Sequence, residues 1–195
     1  NDPRNRLFLQ LLKFVDTFKP KMFVMENVPG ILTLDEGKVI KRIENAFSNI
    51  GYTIQYKVLI ASDFGVPQDR KRIFIVGSKE KISPEKLFPT NKKTRVTVED
   101  ALSDLADLGV NDRSTTYKNK AKSKFQSKMR QKSNVVFNHE SCNHNIKIQQ
   151  RFAMIPAGKN GRQVLINSGT KKRDYYRMHP KSTSRTITTI PEDFI

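Results

Sequence analysis

Apolar residues recur at helical spacing through Leu7, Phe8, Leu11, Leu12, Val15 and Phe18, a pattern that predicts an amphipathic helix. Asp2-Pro3 offers its start, a capping residue followed by proline at the first helical position, and Pro20 its stop. The period then changes. Met22 to Glu26 is a short, nearly unbroken apolar run, which reads as a buried strand of a parallel sheet, and Pro29-Gly30 breaks it. Val39, Ile40, Ile43 and Phe47 mark a second helix between about Asp35 and Ile50, with Gly51 where a C-terminal cap belongs. In "YTIQYKVLIA", 52–61, apolar and polar positions alternate as in a strand; Gly65 and Pro67 mark a loop, and "RIFIVG", 72–77, is a third strand.

This α-β-α-β-loop-β order argues for a layered α/β sheet, and the direct link between the last two strands predicts an antiparallel edge pair. It is the order of the back half of a doubly wound, Rossmann-like domain; the front half, with any Gly-rich turn for a cofactor, is not in this chain. Pro84, Pro89 and Lys92-Lys93 form a linker. Thr97 and Asp100 then have the spacing of a capping box, opening a helix that carries Val98, Ala101, Leu102, Leu105 and Leu108. A domain boundary is expected near Leu108. Beyond it come a polar basic run, a short helix around Ile146 to Met154, and a loop-rich tail with Gly158, Gly161 and Gly169. No internal repeat is visible, and the final "TITTIPEDFI" carries no stop signal, so a truncated chain is expected.

Charge sharpens the division. Residues 1–112 hold 18 basic and 15 acidic side chains, whereas residues 113–195 hold 18 and 4. No acid lies between Asp112 and Glu140, a stretch containing Arg113, Lys118, Lys120, Lys122, Lys124, Lys128, Arg130 and Lys132. Such a run suits a polyanion, since each cation set against a phosphate releases condensed counterions; a solvated loop that keeps the protein soluble is the alternative. No apolar run approaches the ~20 residues that span a bilayer, and the start does not resemble a signal peptide, so a soluble cytoplasmic protein is expected. The single cysteine, Cys142, rules out an internal disulfide.

Two stretches carry candidate chemistry. Glu26-Asn27 stands at the carboxyl end of a strand, where open α/β sheets place ligands, although a solvated acid and a turn residue would look the same. In "PQDRKRIFIVG", 67–77, Gln68, Arg70 and Arg72 alternate into a strand; alternation sends all three to one face, where two guanidiniums can grip phosphate or a carbonyl oxygen. Taken alone, that stretch reads more readily as a charged strand start than as a ligand grip.

Together, and in this order, these segments resemble the DNA cytosine-5 methyltransferase family: a strand ending in Glu-Asn-Val, a helix, a strand, then Gln-x-Arg-x-Arg before Ile-Phe-Ile-Val-Gly. "DPRNRLF" at 2–8, "TVEDALSDL" at 97–105 and "RMHPKSTSRTITT" at 177–189 agree, and "HESCNHNIKIQQRFAMIPAGKNGR" is similar to a recurrent recognition-domain segment of one bacterial subgroup. The resemblance implies the rear of a catalytic domain over 1–108, a smaller loop-rich target-recognition domain over 109–185, and the start of a returning conserved segment over 186–195. It implies an enzyme that moves a methyl group from S-adenosylmethionine to carbon 5 of cytosine in duplex DNA, bacterial or phage-encoded and in many cases part of a restriction–modification pair.

Carried over residue by residue, the resemblance makes Glu26 the acid at ring nitrogen 3 and the amino group of a flipped cytosine, protonated or sharing a proton during attack. Asn27 and Val28 would hold its loop, Arg72 would reach the base's carbonyl oxygen, Arg70 would lie nearer nucleophile and phosphates, and Gln68 would support them. The basic residues of 113–132 would meet the DNA backbone. The family's nucleophile, a cysteine after proline, and its cofactor turn belong to positions upstream of this chain, so no cofactor-binding residue is assigned here. The chain alone is therefore expected to be inert and to require a preceding segment or a second chain. Cys142 follows serine and is not expected to replace the nucleophile. His139, Cys142 and His144 lack the fourth ligand of a structural zinc site, so no metal is assigned, and "GKNGR" at 158–162 reads as a turn. The alternatives are a non-catalytic DNA-binding subunit of a split enzyme, or an RNA-binding protein. The latter is disfavoured because residues 113–135 contain only Tyr117 and Phe125 as aromatics.

Overall fold

A computed structural model describes residues 7–91, 94–161 and 175–187. The chain forms two compact units, Asn1–Ile60 with Lys71–Lys92, and Ala61–Arg70 with Lys93–Ile195.

In the first unit α1, Phe8–Phe18, and α2, Lys38–Ser48, flank the chain of β1, Met22–Asn27. The expected cap at Asp2-Pro3 lies outside the described residues. The end of α1 is set by Lys19, whose left-handed backbone (φ 44°) lets its N–H reach Val15 O at 2.9 Å. Gly51, at φ 86°, performs the same turn after α2 and leads into β2, Thr53–Ile60. The third strand, β4 (Lys71–Ser78), lies between β1 and β2 and is antiparallel to both, giving the sheet order β1-β4-β2. A short helix, α3 (Pro84–Leu87), forms within the stretch expected to be a linker.

The antiparallel pairing of the last two strands matches the sequence reading, but two expectations change. β1 is not in parallel contact with any described strand: the α2 crossover makes it parallel to β2, yet β4 slots between them and pairs antiparallel with each. Nor is β1 buried on both sides. Phe23 packs inward, whereas Met22, Val24 and Glu26, on the opposite pleat, are exposed.

The core lies between the sheet and the two helices, where Ile43, Phe47, Ile73 and Ile75 are fully buried. Phe23 organises it, its ring centroid 4.5 Å from that of Phe47 and edge-on to Tyr52 at 5.4 Å. That ring lies directly over Gly77, its register partner on β4: a Cβ there would come within 2.0 Å of Phe23 Cε1. Tyr52 donates its hydroxyl to Pro20 O at 2.5 Å, and burial, with Asp16 adding to it, raises its pKa above the usual phenol value.

The second unit is built from short pieces. β3, Gln68–Asp69, pairs in parallel with β5, Ser184–Arg185. Asp69 fixes the junction, accepting from Ser62 Oγ and Thr183 Oγ1 at 2.5 Å each, while its carbonyl accepts from Thr186. α4 spans Val98–Leu102 with the expected capping box: Thr97 Oγ1 accepts from Asp100 N at 3.1 Å, and Asp100 Oδ2 accepts from Thr97 N at 3.0 Å. It ends sooner than the apolar spacing suggests because Leu105 turns aside to bridge Tyr117. α5, Lys124–Met129, lies inside the basic run and has its own box, Ser123 with Gln126. α6, Ile146–Ala153, matches the expected short helix and is capped by Asn145.

α4 and α5 are joined through their caps. Ser123 Oγ donates to Asp100 O at 2.6 Å, and buried Gln126 donates through Nε2 to Ser103 Oγ at 3.0 Å. α4, placed by the sequence reading before the boundary at Leu108, thus packs within the second unit.

Candidate active site

In β1 the pleat that buries Phe23 turns Glu26 to the other face, and Arg72 of β4 emerges on that same face, two positions before Phe74, the register partner of Glu26. Their side chains meet, Arg72 Nε lying 3.0 Å from Glu26 Oε1. The guanidinium side chain is 20% exposed and the carboxylate 48%, so the pair is open to an incoming group on the carboxylate side. A second arginine donor, Nη1, is held at 2.7 Å by Lys71 O.

After Glu26 the strand stops because Asn27 Oδ1 accepts from the next backbone N–H, that of Val28, at 2.8 Å, and Pro29 opens a 3-10 turn over Pro29–Leu32. Asn27 and Val28 therefore shape the turn that follows the carboxylate. Beside them a cleft of about 770 Å³ is lined by Glu26 and Asn27 and by apolar residues including Phe8, Leu11, Met25 and Ile31.

Gln68, Arg70 and Arg72 do not lie along one strand as the alternation suggested. Gln68 belongs to β3, and Arg70 N–H turns back to Gln68 O at 3.0 Å, breaking the chain before β4 begins at Lys71. Arg70, partly buried, accepts at its carbonyl from Ala61 N–H and belongs with Gln68 to the second unit.

Of the cations in the acid-free run, Arg113, Lys118, Lys120, Lys122, Lys124, Lys128 and Lys132 are exposed. Lys118 pairs with exposed Asp107. Arg130 differs from all of them: it donates Nε to Asp104 Oδ2 at 2.8 Å and Nη2 to Asn119 O at 2.8 Å, and its guanidinium stacks 3.6 Å from the centre of the Tyr117 ring. Asp104 is itself buried. Sequence reasoning passed over Asp104 and the Ser123–Gln126 box and gave Tyr117 no partner; only the box had a readable signal, Ser-x-x-Gln ahead of an apolar position.

His139, Cys142 and His144 do not converge. His139 Nε2 is 2.8 Å from Ala106 O, His144 stacks edge-on against Phe152, and Cys142 is exposed. Among the described residues no three His, Cys, Asp or Glu side chains gather around a point that could hold a metal ion, and no helix is long and apolar enough to cross a membrane.

Comparison with known proteins agrees over the whole chain. The chain is 36% identical over 182 residues to the Type II methyltransferase M.DdeI of Desulfomicrobium norvegicum, a match covering 88% of this chain and 44% of that protein. With the Type II methyltransferase M1.HphI of Haemophilus parahaemolyticus it shares 31% over 192 residues, 96% of this chain and 46% of the relative. The chain thus spans less than half the length of these two relatives. Among solved structures, a putative DNA modification methyltransferase encoded within an E. coli prophage superposes with a TM-score of 0.74 at 27% identity, covering 95% of this chain and 58% of that one. The family model for C-5 cytosine-specific DNA methylases matches residues 1–195, and it is to that family that the chain belongs.

Proposed function

We propose that this chain supplies the base-holding part of the active site and the target-recognition lobe of an enzyme that methylates carbon 5 of cytosine in duplex DNA. In this reading residues 1–108 serve the catalytic domain, 109–185 recognise the duplex, and 186–195 begin the returning segment. The Glu26–Arg72 ion pair is the observation that carries the proposal, because the two groups are complementary to one edge of cytosine. The carboxyl of Glu26 accepts from the exocyclic amino group and shares a proton with ring nitrogen 3, while Arg72 donates to the neighbouring carbonyl oxygen. When a thiolate adds to carbon 6, negative charge develops on the ring, and a proton held at nitrogen 3 stabilises it where it forms. Asn27 and Val28 keep the carboxylate at the end of β1, and Arg70, with Gln68 beside it, meets the phosphate of the extruded nucleotide.

The exposed lysines of 118–132 with Arg113 provide sequence-independent attraction to the phosphates, which a flipped base requires because unstacking must be offset by contacts elsewhere. Arg130 holds the lobe together instead. S-adenosylmethionine is the methyl donor used by the family, and the cleft beside β1 does not by itself fit it. The cleft beside β1 offers two polar side chains against a largely apolar lining, with no set of partners for a ribose and an amino-acid group.

The test is transfer of radiolabelled methyl groups to duplex DNA by this chain, alone and mixed with a polypeptide carrying a Pro-Cys nucleophile and a Gly-rich cofactor turn. Label incorporated in the mixture and lost with Glu26→Ala supports the assignment. No label in either case, with DNA binding intact, favours a non-catalytic DNA-binding subunit and overturns the catalytic role of Glu26.

A further inference from the structure

The recognition lobe contains an irregularity that the chemistry above does not use. Residues 112–115 and 136–141 run antiparallel: Arg113 bridges Glu140, Ser141 N–H reaches Asp112 O at 2.9 Å, and Ser114 N–H reaches His139 O at 3.1 Å. Regular pairing would next bring Asn138 opposite Thr115. Instead Val136 N–H takes Thr115 O, at 2.9 Å, so Phe137 and Asn138 are extra residues looped out of the pairing. The detour depends on a left-handed backbone at Asn138, φ 55°, a conformation that asparagine tolerates better than most residues.

Its outcome is the placement of one ring. Phe137 is 74% exposed, although a phenylalanine ring is among the side chains most favoured for burial. Both sides of the loop are anchored, Val136 being buried and His139 bonded to Ala106 O, so the ring is held out from a fixed mount. The surrounding sequence, 113–139, has eight cations and no acid. An apolar side chain presented from a stretch of chain with seven exposed cations matches a partner that is anionic outside and offers flat apolar faces within, which is the make-up of a nucleic acid duplex.

We infer that Phe137 is a wedge that enters a base step of the bound duplex and stacks there, positioning the DNA on the lobe. This rests on the DNA-binding reading given above. The bulge aims the ring, the cations draw in the backbone, and partial unstacking at the wedge is offset by ring–base contact.

The sequence contains no tryptophan, so Phe137→Trp places a single indole emitter at the position. With a short mixed-sequence DNA duplex, Phe137→Trp is expected to bind as the parent chain does, with its emission quenched and shielded from iodide on binding. Phe137→Ala is expected to weaken binding roughly five- to hundredfold, the range of one lost base–aromatic stack, and to leave the salt slope unchanged because no phosphate contact is lost. Unaltered affinity in Phe137→Ala, or an indole as open to iodide in the complex as in the free protein, overturns the wedge while leaving DNA binding in place. Failure of the parent chain to bind the duplex overturns the DNA reading and the wedge with it. Since the ring is exposed, thermal unfolding of both variants should match the parent.

Discussion

At the scale of single residues, the Glu26–Arg72 pair sets a competition. The guanidinium that would hold a base's carbonyl oxygen already holds the carboxylate, so binding exchanges one partner for another. Arg72→Lys keeps the charge but loses the planar fork, and it should cost turnover far more than duplex affinity. Separate measurement of methyl transfer and DNA binding in the reconstituted enzyme checks this. Two other cations should behave differently. Arg70→Ala should collapse turnover, while Lys122→Ala should mainly weaken binding and reduce the salt slope by about 1; equal effects of both would contradict the assignment. Arg130 belongs to a third class. Arg130→Ala leaves the buried Asp104 carboxylate unpaired, and a cost of about 3 kcal/mol in unfolding free energy, readable by urea titration, is expected. Composition grouped Arg130 with the lysines because its acid lies 26 residues away, a separation no local pattern encodes.

At the scale of elements, periodicity read β1, α2, β2, β4, α6 and the end of α1 to within a few residues, because each places its apolar side chains at the period of its own geometry. Strand order was less legible. That β4 lies between β1 and β2 follows from pairing over distance, and the break at Arg70 depends on β3 finding β5 late in the chain. The close approach of Phe23 to Gly77 was equally hidden. Gly77→Ala must displace a buried aromatic ring and should destabilise by about 3 kcal/mol or more, as a fall in the urea midpoint would report. The capping box of α4 makes a pH-dependent contribution. Backbone and hydroxyl hydrogen bonds from Thr97 lower the Asp100 pKa below the usual value. A carboxyl whose folded pKa is depressed stabilises the fold above its unfolded pKa, and loses that contribution as pH falls through the folded one. The gap in melting temperature between the parent and Asp100→Ala should therefore be full at neutral pH and shrink below about pH 4.

At the scale of the whole molecule, the charge asymmetry and the two units tell related stories. The excess of positive charge falls in the later sequence, which makes up most of the second unit, and raising salt should weaken duplex binding steeply. Yet neither unit is one continuous stretch, since residues 61–70 are enclosed by the first unit in sequence and packed with the second. That interleaving bears on the order of events during synthesis. As the chain emerges from the ribosome, the three-stranded sheet and the two long helices of the first unit are all present once Ser78 has appeared. Asp69, by contrast, must wait for Thr183, 114 residues further on. Closing so long a loop is slow. Until it closes, the ten residues linking β2 to β4 emerge early and settle last, the stretch of the nascent protein most open to a protease or a chaperone.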